Sequence, residues 1–227
     1  MSDPSPLGQL PTRLPIFPLP NVVLFPGTYL PLHIFEPRYR AMTEAALAGD
    51  GVIGMVLLRA EADAMAARAP IFEIGCAGRI IEHRRLPDGR FNLMLFGERR
   101  FRIARELEGP TPFREVEADF FAEPRFAELA PSARQALERV RPQLEASMLE
   151  LVRLTSPESA APLAERMRAL DPILLVNAIA FGVESPVLEK QSLLETAELP
   201  AQSELLLRLL SFRIAEARLP EGPKSLN

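Results

Sequence analysis

The pattern of apolar and polar positions changes near the middle of the chain. From Arg13 to about Phe121 apolar residues alternate or form short runs, which is typical of strands. From about Pro131 to Arg218 they recur at steps of three and four, which is typical of amphipathic helices. The pattern therefore predicts a β-rich first half and a helical second half.

Short strands and one inserted helix are predicted in the first half. The predicted strands cover residues 29–35, 52–58, 71–86 and 91–96. The segment that begins at Pro37 has helical spacing and ends at Gly49, where a Gly-Asp-Gly run stops the helix. Residues 59–70 predict a helical turn or a loop. Nine prolines among the first 37 residues restrict the early strands to short or edge strands, because proline lacks a backbone donor. These features predict a small, partly closed barrel.

Local signals refine this picture of the barrel. Alternation places Tyr29, His33 and Phe35 on one side of the first of these strands, opposite the aliphatic residues between them. The run Leu86-Pro87-Asp88-Gly89-Arg90 predicts a tight hairpin turn, because proline presets φ and glycine accepts a positive φ. Gly75 and Gly78 predict bulges or places where another backbone passes close by.

The second half predicts about four helices that pack as a bundle. A long helix begins at Pro131, and we expect Pro142 to kink it. Its predicted buried stripe consists of Leu137, Val140, Leu144, Met148 and Leu151. Asp171-Pro172 and Ser185-Pro186 each predict an N-cap residue followed by proline in the first turn. The predicted inner face of the last helix consists of Leu205, Leu209 and Phe212.

Composition limits the class of protein. The 227 residues are 48% hydrophobic and carry a net charge of −4, which is typical of an ordinary globular protein. The single cysteine excludes an intrachain disulfide, and the start of the chain does not resemble a signal peptide. The longest apolar stretch, 173–183, is far shorter than a membrane span. We therefore expect a cytoplasmic protein without a membrane partner.

The change of pattern also predicts domain boundaries. We expect a flexible N-terminal tail at 1–12 and a β-rich domain at 13–122. A helical domain at 123–218 and a flexible C-terminal tail at 219–227 follow. The predicted fold class is α+β.

Residue types that run chemistry are scarce. A phosphate-binding loop needs Gly-Lys-Ser/Thr, but the only lysines, Lys190 and Lys224, follow Glu and Pro. We expect Lys190 to be solvated and to point away from Ser192 on a helix. The two histidines and Cys76 are too few for a typical zinc site, and we expect His33 to be structural, His83 to be on the surface and Cys76 to be buried. No catalytic, metal or cofactor site is predicted.

An arginine cluster is the one unusual charge feature. Residues 79–105 hold eight arginines and three acidic residues, a local charge of +5. On adjacent strands they predict a basic face that could hold phosphates. Its candidate residues are Arg84, Arg85, Arg90, Arg99, Arg100 and Arg102. The alternative is a solvated sheet face with internal ion pairs, such as one between Glu98 and a residue of a neighbouring strand.

Several ordered blocks resemble one known family. These blocks are Leu14–Gly27 (LPIFPLPNVVLFPG), Leu30–Arg40 (LPLHIFEPRYR), Ile74–Ile80, Leu86–Arg90, Gly97–Phe101 and Glu189–Glu195 (EKQSLLE). Together they resemble the substrate-binding domain at the N-terminus of Lon-type ATP-dependent proteases, and the block Leu30–Arg40 fits its free-standing bacterial members even better. The resemblance covers residues 13 to 215.

The resemblance implies a fold and a role. The implied fold is a PUA-like β pseudo-barrel followed by a helical bundle. The implied role is non-catalytic capture of unfolded or extended polypeptides, since the chain ends at Asn227, before an ATPase or a Ser-Lys protease domain could begin. Membership of the S16 peptidase family would then not mean peptidase activity.

The resemblance does not assign binding residues. The candidates for polypeptide binding are Phe35, Tyr39, Phe91 and Phe96, with core packing as the alternative for each. Grooves between strands, or between the β-rich and helical parts, would bind by burial and strand addition. Two other functions stay open, namely RNA binding by the basic face and docking on a full-length Lon protease as an adaptor.

Overall fold

The computed structural model describes residues 10–59 and 69–219. It divides into two compact units, with the boundary between Ala122 and Glu123. Most of each predicted tail, and most of the segment 59–70, lie outside the described residues. The expected α+β class is confirmed, because the described chain contains a mixed sheet of six strands together with six α-helices.

The first unit consists of one sheet and one helix. Its elements are β1 (Arg13–Leu19), β2 (Tyr29–Ile34), α1 (Pro37–Ala48), β3 (Val52–Leu57), β4 (Ile74–Arg85), β5 (Phe91–Leu107) and β6 (Arg114–Phe120). The strand order is β2-β5-β4-β3-β1-β6, and β6 also pairs with β5. Five strands therefore close into a ring, as predicted for a small barrel. β2 lies outside this ring and pairs only with the first six residues of β5.

Strand pairing in this ring is antiparallel except between β1 and β3, which are parallel. Inside the ring, a core cluster is built around Phe101, which is fully buried together with Leu14 and Ile16. β3 is buried along its whole length, as its continuous apolar run predicts. The core therefore fills the ring, whereas β2 and the start of β5 bury only alternate residues and the end of β4 is exposed.

Glycines allow the strands of the ring to approach closely. A Cβ atom at Gly75 would lie 2.4 Å from the carbonyl oxygen of Met55. The β4–β5 register shifts at Ala77/Gly78, and again at Ile80/Glu82 where Ile81 is the extra residue. These findings confirm the predicted close approach and bulge. The predicted hairpin turn is also present, with φ of 81° at Gly89.

The second unit is helical. Its elements are α2 (Pro131–Thr155), α3 (Ala160–Arg168), α4 (Pro172–Gly182), α5 (Val187–Glu195) and α6 (Leu199–Arg218), with 3-10 turns at Phe126–Glu128 and Pro157–Ser159. The helix α2 continues through Pro142. Of its predicted stripe, all residues are buried except Val140, which is half-buried. The Asp171 carboxylate accepts hydrogen bonds from the amides of Ile173 and Leu174, which confirms this predicted N-cap.

Two predictions about this unit are wrong. Ser185 is not an N-cap, because α5 begins one residue later than predicted and Pro186 occupies that position without a side-chain cap. Phe212 does not face the core, since it is 56% exposed. Leu206 and Leu210 are instead fully buried, so the inner face of α6 is rotated from the predicted one.

Candidate functional site

The four candidate aromatic residues lie in different environments. Phe35 is 60% exposed, just beyond the end of β2. Tyr39 is buried on α1 with its ring centroid 4.4 Å from that of Phe17, and burial raises the pKa of its phenol. Phe91 is buried, and Phe96 is half-buried. The structure therefore leaves Phe35 and Phe96 accessible and places Tyr39 and Phe91 in the core.

One exposed side of the sheet collects apolar side chains from β2 and β5. Tyr29 stands opposite Phe96 with the ring centroids 5.2 Å apart, and Pro31 stands opposite Met94. Phe35 shares this side because its ring stacks on that of His33 at 6.3 Å. We call this surface the outer face. It consists of Tyr29, Pro31, His33, Phe35, Asn92, Met94 and Phe96, with Arg79, Glu82 and Arg84 from β4.

The outer face has three rows across the strands, as set by the pairing register. The first row holds Tyr29, Phe96 and Arg79, the second Pro31, Met94 and Glu82, and the third His33, Asn92 and Arg84. Rows follow each other every second residue, so they are roughly 6.6 Å apart. The first row therefore carries the Tyr29–Phe96 aromatic pair, the third row is polar, and Phe35 lies beyond the third row beside His33.

A shallow groove runs over the second and third rows. Its volume is about 600 Å³. The lining side chains of the outer-face groove include Pro31, His33, Glu82, Arg84, Asn92 and Met94. This size falls within the range of ligand-binding clefts.

Hydrogen bonds hold the third row in one arrangement. His33 Nδ1 lies 2.7 Å from Asn92 Oδ1, and Arg90 Nη1 lies 3.3 Å from His33 Nε2. The guanidinium of Arg90 also donates to the Asp88 carboxylate at 2.6 Å. Hydrogen bonds from Arg90, first that of its backbone amide, lower the pKa of Asp88. His33 is thus a hydrogen-bonded histidine, as predicted.

The six arginines of the predicted basic face do not lie together. Arg84, Arg85 and Arg90 are at the hairpin end of the sheet, and the other three are on the far half of β5. Arg99 is seven residues along β5 from Asn92, the partner of Arg84, which is roughly 23 Å. Arg100 is buried and lies over the Phe121 ring at 5.5 Å. A continuous basic face is therefore not formed.

Ion pairs neutralise several of these arginines. Arg85 pairs with Glu44 at 3.0 Å and Arg102 with Glu73 at 3.2 Å. Glu98 pairs across the strands with Arg79, which is the arrangement expected in the alternative of a solvated sheet face. Within the described ranges 10–59 and 69–219, Arg84 has no ion pair. It is therefore the free cation of the outer face.

The second groove lies within the helical unit. It has a volume of about 730 Å³ and is lined by Met148, Leu151 and Val152 of α2, and by Arg213 of α6. Arg213 already pairs with Glu189 at 2.8 Å and with Glu216 at 2.6 Å. Its cationic charge is therefore satisfied inside the protein.

Lys190 is not solvated, contrary to expectation. Its Nζ atom donates a hydrogen bond to the carbonyl oxygen of Phe181 at 2.6 Å. Burial lowers the pKa of this lysine. The Ser192 hydroxyl instead donates to the carbonyl oxygen of Leu188, so the two side chains do diverge as predicted.

In the described part of the chain, the side chains that could bind a metal ion lie apart from one another. Among the residues that the structure describes, no three His, Cys, Asp or Glu side chains come together as ligands for a metal ion. Cys76 is buried and His83 is exposed, as predicted. In the same part of the chain, each helix is too short or too polar to cross a membrane.

The outer face includes residues that the sequence did not identify as candidates. Alternation already placed Tyr29 on the same side as Phe35, but nothing local indicated that β2 pairs with β5. Met94 and Asn92 join the face only through this pairing. The fold and the face together indicate a domain that offers a surface for binding.

Comparison with known proteins assigns the family. Residues 13–211 match the family described as the "ATP-dependent protease La (LON) substrate-binding domain". The chain belongs to this family, which confirms the resemblance that the ordered sequence blocks indicate.

The chain is similar to part of two longer proteins that are named as Lon proteases. The chain is 31% identical over 204 residues to "Lon protease 2" of Myxococcus xanthus, covering 89% of this chain and 24% of the relative. It is 31% identical over 214 residues to "Lon protease" of Anaeromyxobacter dehalogenans, with 89% and 23% covered. The chain therefore spans about a quarter of the length of these relatives.

Solved structures show the same fold. The "N terminal domain of Mycobacterium avium complex Lon protease" matches with a TM-score of 0.65 at 21% identity, covering 90% of this chain and 98% of that one. The "Lon N-terminal domain protein from Xanthomonas campestris" matches with a TM-score of 0.59 at 23% identity, covering 88% and 98%.

Proposed function

We propose that this protein binds extended or unfolded polypeptides on the outer face and catalyses no reaction itself. The observation that carries the proposal is that three aromatic side chains are accessible on one side of the sheet: Tyr29 and Phe96 form a pair in the first row, and Phe35 lies beside His33 beyond the third row. Tyr29 is 55% exposed and Phe35 60% exposed, which is unusual for large apolar side chains on one side of a sheet. The family name supports the proposal because it describes a substrate-binding domain.

Burial of these rings would supply the affinity. Covering roughly 100 Å² of apolar surface contributes about 2.5 kcal/mol, before the entropy cost of ordering the ligand. Several side chains must therefore be buried together to give even micromolar binding. Weak, reversible capture of exposed apolar segments is the behaviour that such a face supports.

The edge of β2 is less suited to binding than the face. The amide of Gly97 donates to the Thr28 carbonyl, so alternate residues of β2 direct their backbone groups to β5 and the others outward. Pro31 is one of the outward residues, and it has no amide hydrogen. It removes the central donor that an added strand would need. We therefore propose binding by side-chain burial rather than by strand addition.

The test is a binding assay with an unfolded client. Labelled, reduced casein is titrated with the protein at about 50 mM and 300 mM salt. The variant Tyr29→Ser/Phe35→Ser is expected to bind at least five-fold more weakly at both salt concentrations. Leu188→Ser, which changes an exposed leucine of the helical unit, serves as the control and is expected to bind like the wild type. Equal binding by wild type and double variant, or no binding at tens of micromolar, contradicts the proposal.

The RNA-binding alternative has weaker support. Its six arginines are divided between two regions, and several are paired with acidic residues. Its mark would be affinity that falls steeply with salt, because phosphate contacts release counterions. The adaptor alternative stays a prediction, as does the cytoplasmic location. Co-purification with a full-length Lon protease would support the adaptor.

A further inference from the structure

We infer that the third row of the outer face is a carboxylate subsite, formed by Arg84 and Asn92. Resting on the proposed function, this inference names the preferred client as an extended segment with an acidic residue four positions from an aromatic one. Two observations carry it: a chain of hydrogen bonds that fixes the Asn92 amide, and the register that places Arg84 directly opposite it.

The hydrogen-bond chain begins at Arg90. An arginine side chain can only donate, so His33 Nε2 must accept the hydrogen bond from Arg90. The proton of the neutral ring is then on Nδ1, which donates to Asn92. The acceptor atom of Asn92 is therefore its Oδ1. The orientation of the Asn92 amide is thus fixed by Arg90, because a guanidinium can only donate hydrogen bonds.

The amide nitrogen of Asn92 is left to donate on the face that it shares with Arg84. These two residues are directly opposite each other on antiparallel strands, so their Cβ atoms are roughly 5 Å apart. Both offer hydrogen-bond donors. Because Arg84 has no ion pair among the described residues, its charge is open to an anionic ligand. Two adjacent donors, one of them charged, are suited to a carboxylate.

Glu82 sets the spacing of the preferred client. It is the acidic residue of the second row, level with Pro31 and Met94. Glu82 would repel a client carboxylate placed at the second row, whereas a carboxylate at the third row would reach Arg84. The aromatic pair Tyr29 and Phe96 is two rows from Arg84, roughly 13 Å or four residues of an extended chain. In an extended client, an acidic residue either two or four positions from the aromatic residue points to the same side as it does, so both arrangements can contact the sheet.

The test uses four labelled peptides of nine residues in a serine- and threonine-rich background. One has Phe at position three and Asp at seven; the others carry Lys at seven, Asp at five, or Ser in place of the Phe. Fluorescence anisotropy measures each dissociation constant. The wild type is expected to bind the first peptide about three- to five-fold more tightly than the Lys-7 and Asp-5 peptides, a size typical of an exposed ion pair.

Two variants that each remove one positive charge distinguish a local contact with Arg84 from a general electrostatic attraction of the protein for acidic peptides. Arg84→Gln is expected to bring the Asp-7 to Lys-7 affinity ratio close to one. Arg85→Gln is the matched control, because Arg85 is the next residue on the same strand, faces the other side and pairs with Glu44. It is expected to keep the preference. Thermal unfolding of both variants checks that they are folded.

The outcomes distinguish this inference from the proposed function. Binding of every Phe-containing peptide without a preference for Asp at position seven overturns the subsite but retains the aromatic face. Equal loss of preference in Arg84→Gln and Arg85→Gln also overturns it. Failure of all peptides, together with failure of the casein assay, overturns the proposed function itself.

Discussion

The Nζ atom of Lys190 donates a hydrogen bond to the carbonyl oxygen of Phe181, at 2.6 Å. This contact links α5 to the last turn of α4. Carbonyl groups in the last turn of a helix have no partner within the helix, and a cation there also interacts favourably with the helix dipole. The lysine therefore satisfies a group that would otherwise be half-buried without a partner.

Replacement of Lys190 is expected to destabilise the helical unit. Lys190→Met keeps most of the apolar stem but removes the donor, so we expect a loss of about 1–2 kcal/mol in the free energy of unfolding. Chemical denaturation at neutral pH, followed by circular dichroism, measures this loss. Lys190→Arg is the control, because it can still donate to the Phe181 carbonyl.

The difference in unfolding free energy between the wild type and Lys190→Met is expected to change with pH in one direction. Burial lowers the pKa of Lys190 below its ordinary value of 10.5, so the unfolded chain binds this proton more tightly than the native protein does. Raising the pH toward 10.5 therefore stabilises the wild type relative to Lys190→Met. Denaturation of both proteins between about pH 8 and pH 10.5 measures the difference. A stability advantage of the wild type that shrinks over this interval would show that the lysine is not desolvated.

The bidentate pair of Arg13 and Glu115 joins β1 to β6, with nitrogen–oxygen distances of 3.0 and 2.7 Å. The hydrogen bonds from Arg13 lower the pKa of Glu115. Its contribution to stability is therefore present above the ordinary glutamate pKa and is lost as the pH falls through the lowered value. Glu115→Gln is expected to cost up to about 1 kcal/mol at pH 7, because Arg13 is largely exposed.

Acid unfolding tests the same pair. The difference in unfolding free energy between wild type and Glu115→Gln is expected to disappear as the pH is lowered below about 4. Asp119→Asn removes an exposed carboxylate of the same strand and serves as control. A difference that stays constant down to pH 3 would exclude an ionic contribution of Glu115.

A methyl group at Gly75 is expected to disrupt the ring. Its Cβ atom would lie 2.4 Å from the Met55 carbonyl oxygen and 2.8 Å from Val56 Cγ1, so the paired backbones must separate. We expect Gly75→Ala to lower the free energy of unfolding by at least about 2 kcal/mol. Gly109→Ala is the control, because its new methyl group would have only an ordinary contact with Thr111. Equal thermal stability of the two variants would contradict the close approach.

Pro31 is expected to keep the edge of β2 from pairing with other chains. Pro31→Val restores the missing donor on an edge of high strand propensity, so we expect concentration-dependent self-association. Pro31→Lys restores the donor too, but its charge opposes edge-to-edge pairing, and this variant is expected to stay dispersed. Sedimentation velocity over a 100-fold range of concentration compares the two. If Pro31→Val stays as dispersed as the wild type, the missing donor of Pro31 is not the protecting feature; if Pro31→Lys associates as strongly as Pro31→Val, a charge cannot replace the proline.

Much of the secondary structure could be predicted because its signals are local. The α1 helix, the buried strand β3, the hairpin turn at Gly89 and the Asp171 cap all depend on residues a few positions apart. The inner face of α6 could not be predicted in the same way. Many of its leucines suit more than one helical stripe, and only packing against other helices selects which of them is buried.

The sequence by itself determined four of the six strands, the helix α1, the helical character of the second unit, the family and the side of β2 on which Tyr29 and Phe35 lie. Only the tertiary structure decided that Tyr29 meets Phe96, that Arg84 stands opposite Asn92, and that the six candidate arginines separate. The reason is that alternation and turn signals act over a few residues. Pairing between strands far apart in the chain depends on how the whole core packs, and a shift by one residue would reverse every side chain.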